Sequence, residues 1–117
     1  MLKDLSMVLE PYRTVLTKLL DALLKYFDDD LVSVVLYGSV ARGEAERDSD
    51  IDLIIIVRNL PKSRFKRQDL FMEVEEGLEP LLRELEKEGY NIDFSPILKT
   101  PEEACKITPL YLSLIHI

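Results

Sequence analysis

The stretch YGSVARGEAERDSDIDL, residues 37–53, decides the fold of this chain. It begins at the end of an apolar segment, residues 31–37 (LVSVVLY), whose β-branched side chains are typical of a buried strand. It ends inside a second such segment, residues 49–57 (SDIDLIIIV), which is polar at its start and apolar afterwards. We therefore predict two strands that are joined through a turn at Gly38.

Gly38 and Ser39 are the residue types expected in a phosphate-binding turn. Glycine lets the backbone turn sharply and approach a ligand without a Cβ atom in the way. Residues 39–45 predict a short turn or helical piece. The amides at its start, together with Ser39, can donate hydrogen bonds to phosphate oxygens.

Asp50 and Asp52 form a pair of carboxylates at the start of the second predicted strand. Strand residues two apart point to the same side, so the two aspartates point together while Ile51 points to the core. Carboxylates held that close repel each other unless a cation lies between them. Oxygen ligands favour Mg²⁺ or Mn²⁺, and two such ions could hold the attacking and leaving oxygens of a displacement at phosphorus.

A third carboxylate is expected from a neighbouring strand, and Asp93 is the candidate. Residues 92–98 predict a strand in which Ile92 and Phe94 take the apolar face, which leaves Asp93 on the other face. If this strand pairs beside residues 49–57, Asp93 completes the site. It can then take the proton from an attacking hydroxyl.

The remaining segments predict helices around a small sheet. Apolar residues recur at helical spacing over residues 12–27 and 70–88, and Pro80 predicts a kink or break in the second helix. Gly89 is suited to cap its C-terminus, and the sequence TPEE at 100–103 predicts the cap and first turn of another helix. The element order predicts an α/β fold: a mixed sheet of three or four strands with helices mainly on one face.

Several residues outside the motif have ordinary structural interpretations. The basic cluster at 62–67 predicts a solvated loop, although it could also contact a nucleotide or an acidic partner. The run DDD at 28–30 predicts a solvated turn that ends the first helix. Tyr37 is expected in the core, and Cys105 is expected to be a small buried apolar residue.

Length and composition limit the class of protein. The chain has 117 residues, of which 47% are hydrophobic, which is enough for one compact domain. Its formal charge of −7 disfavours non-specific binding to nucleic acid, and a triphosphate would need metal cations beside it. One cysteine cannot form an internal disulfide, and with a single histidine it excludes the usual four-ligand zinc site. With no signal peptide and no membrane-spanning apolar run, we expect a soluble cytoplasmic protein.

The last six residues, 112–117 (LSLIHI), resemble the translation of a common sequencing-library adapter. We therefore expect a single domain over residues 1–111, followed by a non-native or truncated tail. His116 lies in that tail and is given no functional weight.

The longer match GSVARGEAERDSDIDL resembles the signature of the DNA polymerase β nucleotidyltransferase superfamily: Gly-Ser, ten residues, then Asp-x-Asp. Within that superfamily the chain is most similar to the minimal nucleotidyltransferases of bacteria and archaea. The order of helices and strands extends the likeness over roughly residues 12–105. The resemblance implies a palm-like nucleotidyltransferase fold.

The resemblance also implies an activity: transfer of a nucleoside monophosphate, usually AMP from ATP, to a hydroxyl with release of pyrophosphate. By the same resemblance, Asp50 and Asp52 would bind the metals, two Mg²⁺ ions with Mn²⁺ as the other choice. Gly38 and Ser39 would bind the triphosphate, and Asp93 would bind the catalytic metal together with the acceptor hydroxyl.

Arg42 matches the arginine usual in the Gly-Ser-x-Ala-Arg-Gly turn of this family. Two roles are open for it. The guanidinium either contacts a phosphate of the nucleotide or makes a structural ion pair with Glu46 or Asp48.

The resemblance implies a protein partner as well. Many minimal nucleotidyltransferases are similar to antitoxins that silence a HEPN-domain ribonuclease toxin by adenylylating one of its tyrosines. We expect the acceptor surface to come from a separate protein or from a second copy of this chain, because 117 residues leave no room for an acceptor domain. Two alternatives stay open: nucleotide binding that regulates a partner without turnover, and nucleotidyl transfer to a small molecule or an RNA end.

Overall fold

In the computed structural model, which describes residues 8–105 and 115–116, five α-helices and four strands follow one another along the chain. The elements are α1 (Tyr12–Phe27), a 3-10 turn (Asp28–Asp30), β1 (Leu31–Tyr37), α2 (Gly38–Ala41), β2 (Asp50–Val57), α3 (Arg64–Glu76), α4 (Glu79–Lys87), β3 (Asp93–Lys99), α5 (Pro101–Ala104) and β4 (Ile115–His116). The predicted α/β class and the order of its elements are confirmed. Among the described residues, no helix is long and apolar enough to cross a membrane.

The four strands form one mixed sheet in the order β3-β2-β1-β4. Strand β1 pairs antiparallel with β2 and with β4, whereas β2 and β3 are parallel. A parallel pair needs a long crossover connection, and helices α3 and α4 supply it between β2 and β3. The crossover therefore places the beginnings of β2 and β3 side by side.

The main core lies between one face of the sheet and the helices. On this face, strand β2 buries Ile51, Leu53, Ile55 and Val57, each at most 1% exposed. Their partners are apolar side chains from the first helix and from the crossover: Val15, Leu16, Leu19, Leu23, Phe71, Val74, Leu78 and Leu85. Since this face of β2 is filled, Asp50 and Asp52 are left on the opposite face.

Helix ends follow the predicted signals. The 70–88 segment breaks between Glu76 and Glu79, so that Pro80 stands in the first turn of α4, where its missing N–H has no partner to lose. Gly89, at φ +93°, ends α4 with a Schellman motif in which the Tyr90 N–H donates to the Leu85 carbonyl at 3.0 Å.

The predicted start of a helix at residue 100 is also confirmed. Thr100 and Glu103 form a reciprocal capping box at the first turn of α5, with the Thr100 N–H donating to Glu103 Oε1 at 2.9 Å.

The prediction of a solvated basic loop at 62–67 is wrong in part: Lys62, Arg64 and Lys66 are exposed, but residues 64–67 belong to a helix. Ser63 caps a helix that begins at Arg64, six residues earlier than the apolar periodicity indicated, and the Lys66 N–H donates to the Ser63 hydroxyl at 3.4 Å. The first turn of α3 lacks an apolar stripe, which is why periodicity alone missed it. Arg67 is 8% exposed and stands among the buried residues.

Arg67 joins α3 to the far end of β3 and to α5. Its guanidinium donates to the carbonyls of Pro61 at 2.6 Å and Leu98 at 3.0 Å, and to the Glu103 carboxylate at 2.8 Å. The hydrogen bond from Arg67, then that from the Thr100 amide, lowers the pKa of Glu103 to about 2. The ion pair therefore fixes the crossover against the edge strand.

Two smaller expectations were tested by burial. Cys105 is exposed, so its assignment as a buried residue is wrong. The run DDD forms a 3-10 turn with no buried residue directly after α1, as a solvated turn should.

Replacing Arg67 with Met should lower the free energy of unfolding by about 2 kcal/mol, because the carbonyls of Pro61 and Leu98 and a carboxylate lose their donor while the volume is kept. Urea denaturation at pH 7 measures this. Arg83→Met is the matched control: its pair with Glu79, 2.9 Å long, is exposed on both sides, so its loss should cost under about 0.5 kcal/mol. Because the pKa of Glu103 is lowered from 4.5, the contribution of the pair should be full above pH 4.5 and disappear as pH falls through about 2. Equal losses of unfolding free energy in Arg67→Met and Arg83→Met would contradict the role given to Arg67.

Candidate active site

The candidate site lies at the end of the sheet where β1 ends and where β2 and β3 begin. Because β1 is antiparallel to β2, Tyr37 pairs with Asp52, and Gly38 follows beside it. Because β3 is parallel to β2, Asp93 pairs with Asp50. Two different kinds of strand pairing thus bring the separate predicted residues to one end of the sheet.

Gly38 is in close contact with the carboxylate of Asp52. Its φ is +80°, in the region that favours glycine, and a Cβ atom at this position would lie 2.3 Å from Asp52 Oδ2. A side chain at residue 38 would displace the carboxylate. The glycine of the motif is therefore required by the aspartate 14 positions later in the sequence as well as by the turn.

Ser39 follows in α2, the short helical piece that the sequence predicted. This helix is anchored in the core by Val40 and Ala41, and it closes with a hydrogen bond of 2.9 Å from the Glu44 N–H to the Ser39 carbonyl. Ser39 is half-buried next to Gly38. Its backbone is consequently fixed beside the aspartates.

Asp50 and Asp52 carry negative charge that no cation of the described chain compensates. Asp50 is exposed and Asp52 is half-buried. Burial raises the pKa of Asp52, and the neighbouring charge of Asp50 raises it further. None of the ion pairs found in residues 8–105 and 115–116 includes either aspartate.

Asp93 shares the sheet face of Asp50 and Asp52. Phe94 packs edge-on against Phe71 of α3 with ring centroids 5.6 Å apart, so the residue before it points away from the helices. The charge of Asp93 also reaches α3, where it is the second cause, after burial, of a raised pKa of Glu75.

The three aspartates do not form a closed cluster. Within the described part of the chain, no three His, Cys, Asp or Glu side chains lie close enough together to hold a metal ion. The strand register brings Asp50, Asp52 and Asp93 to one face at one end of the sheet. That their carboxylates close around a cation stays a prediction.

The donor set nevertheless fits a hard divalent cation. Asp50 and Asp52 offer only oxygen atoms, which Mg²⁺ and Mn²⁺ prefer, and their mutual repulsion is the electrostatic condition that a bound cation relieves. The missing side chain at Gly38 leaves the backbone within reach of the same carboxylate. These residues could therefore hold a metal against a phosphate group.

Arg42 pairs with a different residue from those expected. Its Nε donates to Glu44 Oε1 at 2.9 Å, and both side chains are more than half exposed. The predicted structural partners, Glu46 and Asp48, are therefore wrong. Contact of Arg42 with a phosphate stays a prediction.

Tyr37 was expected in the core, and this expectation is wrong. It is half-buried and lies on the face of Asp52, its partner in the register, rather than on the helix face. The β-branched run 31–37 predicted a strand but could not show which face each residue takes.

Sequence reasoning missed the residues that join the segments leading to Asp50 and Asp93. Asn91 Nδ2 donates to Asp48 Oδ1 at 3.0 Å, and the Asn91 N–H donates to the Arg47 carbonyl, also at 3.0 Å. The one signal in the sequence is position: Asp48 and Asn91 each lie two residues before a predicted site aspartate.

Comparison with known proteins agrees with the resemblance to nucleotidyltransferases. The family model described as a nucleotidyltransferase domain matches residues 16–110. Two similar proteins of Methanocaldococcus jannaschii carry the names "Putative protein adenylyltransferase MJ1305" and "Putative protein adenylyltransferase MJ0141". The first is 40% identical over 91 residues, which are 76% of this chain and 56% of that protein. The second is 40% identical over 40 residues, which are 34% of this chain and 40% of that protein. The chain thus spans about half the length of the curated relatives that it matches, and no solved structure matches it.

Gly38→Ala should lower the free energy of unfolding by about 2 kcal/mol, because alanine is strained at φ +80° and its Cβ meets Asp52 Oδ2. Gly77→Ala is the matched control, since Gly77 has φ −68° and its added Cβ would lie 3.5 Å from the nearest atom. That variant should stay within about 1 kcal/mol of the original protein. Thermal unfolding measures both, and a harmless Gly38→Ala would contradict the close contact.

Asp52→Asn should stabilise the metal-free protein at pH 7, because the amide removes a half-buried charge that faces Asp50. Because the pKa of Asp52 is raised on folding, protonation of this carboxyl stabilises the folded protein. The original protein should therefore gain stability as pH falls toward 3.8, and lose it as pH rises through the folded-state pKa of Asp52. The variant should lack this dependence. Melting temperatures of both proteins from pH 3.5 to 8, in the presence of a chelator, measure it. A lower melting temperature of Asp52→Asn at pH 7 would contradict the electrostatic account.

Proposed function

We propose that this chain, which belongs to the nucleotidyltransferase domain family, transfers AMP from ATP to a hydroxyl acceptor and releases pyrophosphate. The observation that supports this most directly is the contact between the Gly38 backbone and the Asp52 carboxylate, with Asp50 and Asp93 level with each other on adjacent parallel strands. This arrangement supports the proposal, because displacement at a triphosphate requires a phosphate-binding turn next to acidic metal ligands.

Asp50 and Asp52 would hold two Mg²⁺ ions, or Mn²⁺ in their place, and Asp93 would complete the ligand set of one of them. When bound, these ions neutralise the triphosphate and stabilise the charge that develops at the attacking and leaving oxygens. The register that sets Asp93 level with Asp50 supports this ligand set.

The chain's own residues bind the nucleotide and accept a proton. The amides after Gly38 and the Ser39 hydroxyl donate to the β- and γ-phosphate oxygens. The acceptor oxygen attacks the α-phosphorus and forms a new P–O bond, while its proton passes to a carboxylate oxygen of Asp93. The bond from the α-phosphorus to the bridging oxygen breaks, and pyrophosphate leaves with that oxygen.

Arg42 would contribute a further phosphate contact. Its pair with Glu44 is exposed on both sides, and exposed pairs of this kind are worth about 0–1 kcal/mol. Transfer of the guanidinium from Glu44 to a phosphate oxygen therefore costs little. Such a contact would tighten nucleotide binding without a role in proton transfer.

A protein hydroxyl is the acceptor we favour, and specifically a tyrosine of a HEPN-domain toxin that this chain would silence as an antitoxin. Two similar proteins carry names that describe protein adenylyltransferases. The resemblance to minimal nucleotidyltransferases agrees with the same acceptor. The net charge of −7 disfavours an RNA acceptor, whose phosphates it repels.

Asp50→Ala and Asp52→Ala should reduce Mg²⁺-dependent transfer of label from α-³²P-ATP to background, since each removes a proposed metal ligand. The test uses the purified chain with a HEPN-domain protein as the candidate acceptor, and separates labelled protein, RNA and small molecules. Asp29→Ala serves as the matched control, because Asp29 is exposed in the turn at the other end of the sheet and should keep full activity.

The outcomes separate the proposal from its alternatives. Transfer retained in both aspartate variants would refute the assignment of the site. Binding of ATP without pyrophosphate release by the unaltered protein would favour a regulatory nucleotide-binding protein instead. Label on RNA or on a small molecule, with none on protein, would refute the protein acceptor while leaving the chemistry in place.

A further inference from the structure

A group of contacts ties the segment before β2 to the segment before β3. We call it the register bridge, and it consists of the two hydrogen bonds from Asn91 to Arg47 and Asp48 with two contacts of the Arg47 side chain. Arg47 Nη1 donates to the Glu88 carbonyl at 3.3 Å, and the guanidinium lies 5.2 Å from the centroid of the Tyr90 ring. The bridge begins directly outside the last paired residues of the sheet, Asp50 and Asp93.

The Asn91–Asp48 pair continues the register of the parallel strands. Asp48 lies two residues before Asp50, and Asn91 lies two residues before Asp93, its partner in the register. The Asn91 N–H donates to the Arg47 carbonyl at 3.0 Å, so the pair stands one step beyond the last paired residues of the sheet. A slip of one residue between the strands would turn Asp93 toward the helices. The pair opposes that slip at the position nearest to the site.

The β2 side of the bridge is itself held by α1. The Tyr12 hydroxyl donates to the Glu46 carbonyl, and the Glu46 N–H donates to the Ser49 hydroxyl at 2.7 Å. Tyr12 is 2% exposed, and its ring packs edge-on against Tyr90 at 6.5 Å. The segment 46–49 is therefore held in place by α1, and Asn91 is hydrogen-bonded to a fixed partner.

We infer that Asn91, through its hydrogen bond to Asp48, is a positioning residue that fixes the separation of Asp50 and Asp93 and thereby sets the affinity of the site for its divalent cation. This inference rests on the proposed function, because it takes both aspartates as ligands of that cation. Asn91 touches neither metal nor nucleotide. It acts by holding the start of β3 level with the start of β2.

The strand register pairs Asp50 with Asp93, yet this pairing alone does not close the carboxylates around a cation. In the described residues the acidic side chains do not approach one another closely enough to form a closed metal cluster. Repulsion between carboxylates favours their separation in the absence of a cation. A contact at the strand ends limits how far apart the backbones can move before the cation binds. Groups that orient metal ligands in this way typically change metal affinity 10- to 100-fold.

The test measures Mn²⁺ binding by electron paramagnetic resonance, with α,β-methylene-ATP present so that no turnover occurs. Asn91→Ala, which changes no charge, should weaken Mn²⁺ binding about 10-fold. Asn91→Asp should weaken it as well, because it places a second carboxylate opposite Asp48. Combining Asn91→Asp with Asp48→Asn exchanges donor and acceptor, keeps the total charge, and should restore the affinity to within about 3-fold.

Gln68→Ala is the matched control, since it also removes a neutral amide that donates to the β3 segment, here to the Pro96 carbonyl at 3.2 Å. This variant should bind Mn²⁺ like the unaltered protein. Thermal unfolding should show all variants folded with similar melting temperatures, which separates positioning from general loss of structure.

Unchanged Mn²⁺ affinity in Asn91→Ala, or failure of the exchanged pair to restore binding, would overturn this inference and leave the proposed function intact. An equal loss in Gln68→Ala would overturn it too, because any weakening of β3 would then have the same effect. Absence of Mn²⁺ binding by the unaltered protein would overturn the proposed function, and this inference with it.

Discussion

The close approach of the Gly38 backbone to the Asp52 carboxylate is the constraint on which the rest of the site depends. It requires a residue without a side chain, a positive φ and an antiparallel pairing that sets Tyr37 opposite Asp52. These three conditions come from different parts of the chain. Together they put backbone donors beside a carboxylate, an arrangement that a triphosphate with its cation can occupy.

The crossover α3–α4 decides where Asp93 lies, because it makes β3 parallel to β2. Both ends of the resulting strand pair are held by side chains. At one end the Arg67 guanidinium bonds the Leu98 carbonyl and Glu103, and at the other Asn91 bonds Asp48. The first is mostly buried and contributes to stability, whereas the second is exposed and contributes chiefly to geometry.

The negative charge at the site destabilises the folded domain. Asp50 and Asp52 repel each other, and burial of Asp52 adds a desolvation cost, while the opposite face of β2 is filled with apolar side chains. A strand that packs well along its length and carries unfavourable charge only at its start is what a binding site on a stable scaffold requires. Under the proposed function, a bound cation and nucleotide would offset this unfavourable charge.

The sequence by itself determined the order of elements, the Gly-Ser turn and the paired aspartates, because period-two alternation, glycine and helix caps act over a few residues. It also indicated the strand of Asp93. Only the tertiary structure decided the parallel register of Asp50 with Asp93, the burial of Arg67, the face taken by Tyr37 and the contact between Asp48 and Asn91. Each of these joins residues far apart in the chain, and local patterns carry no information about which distant partner a side chain meets.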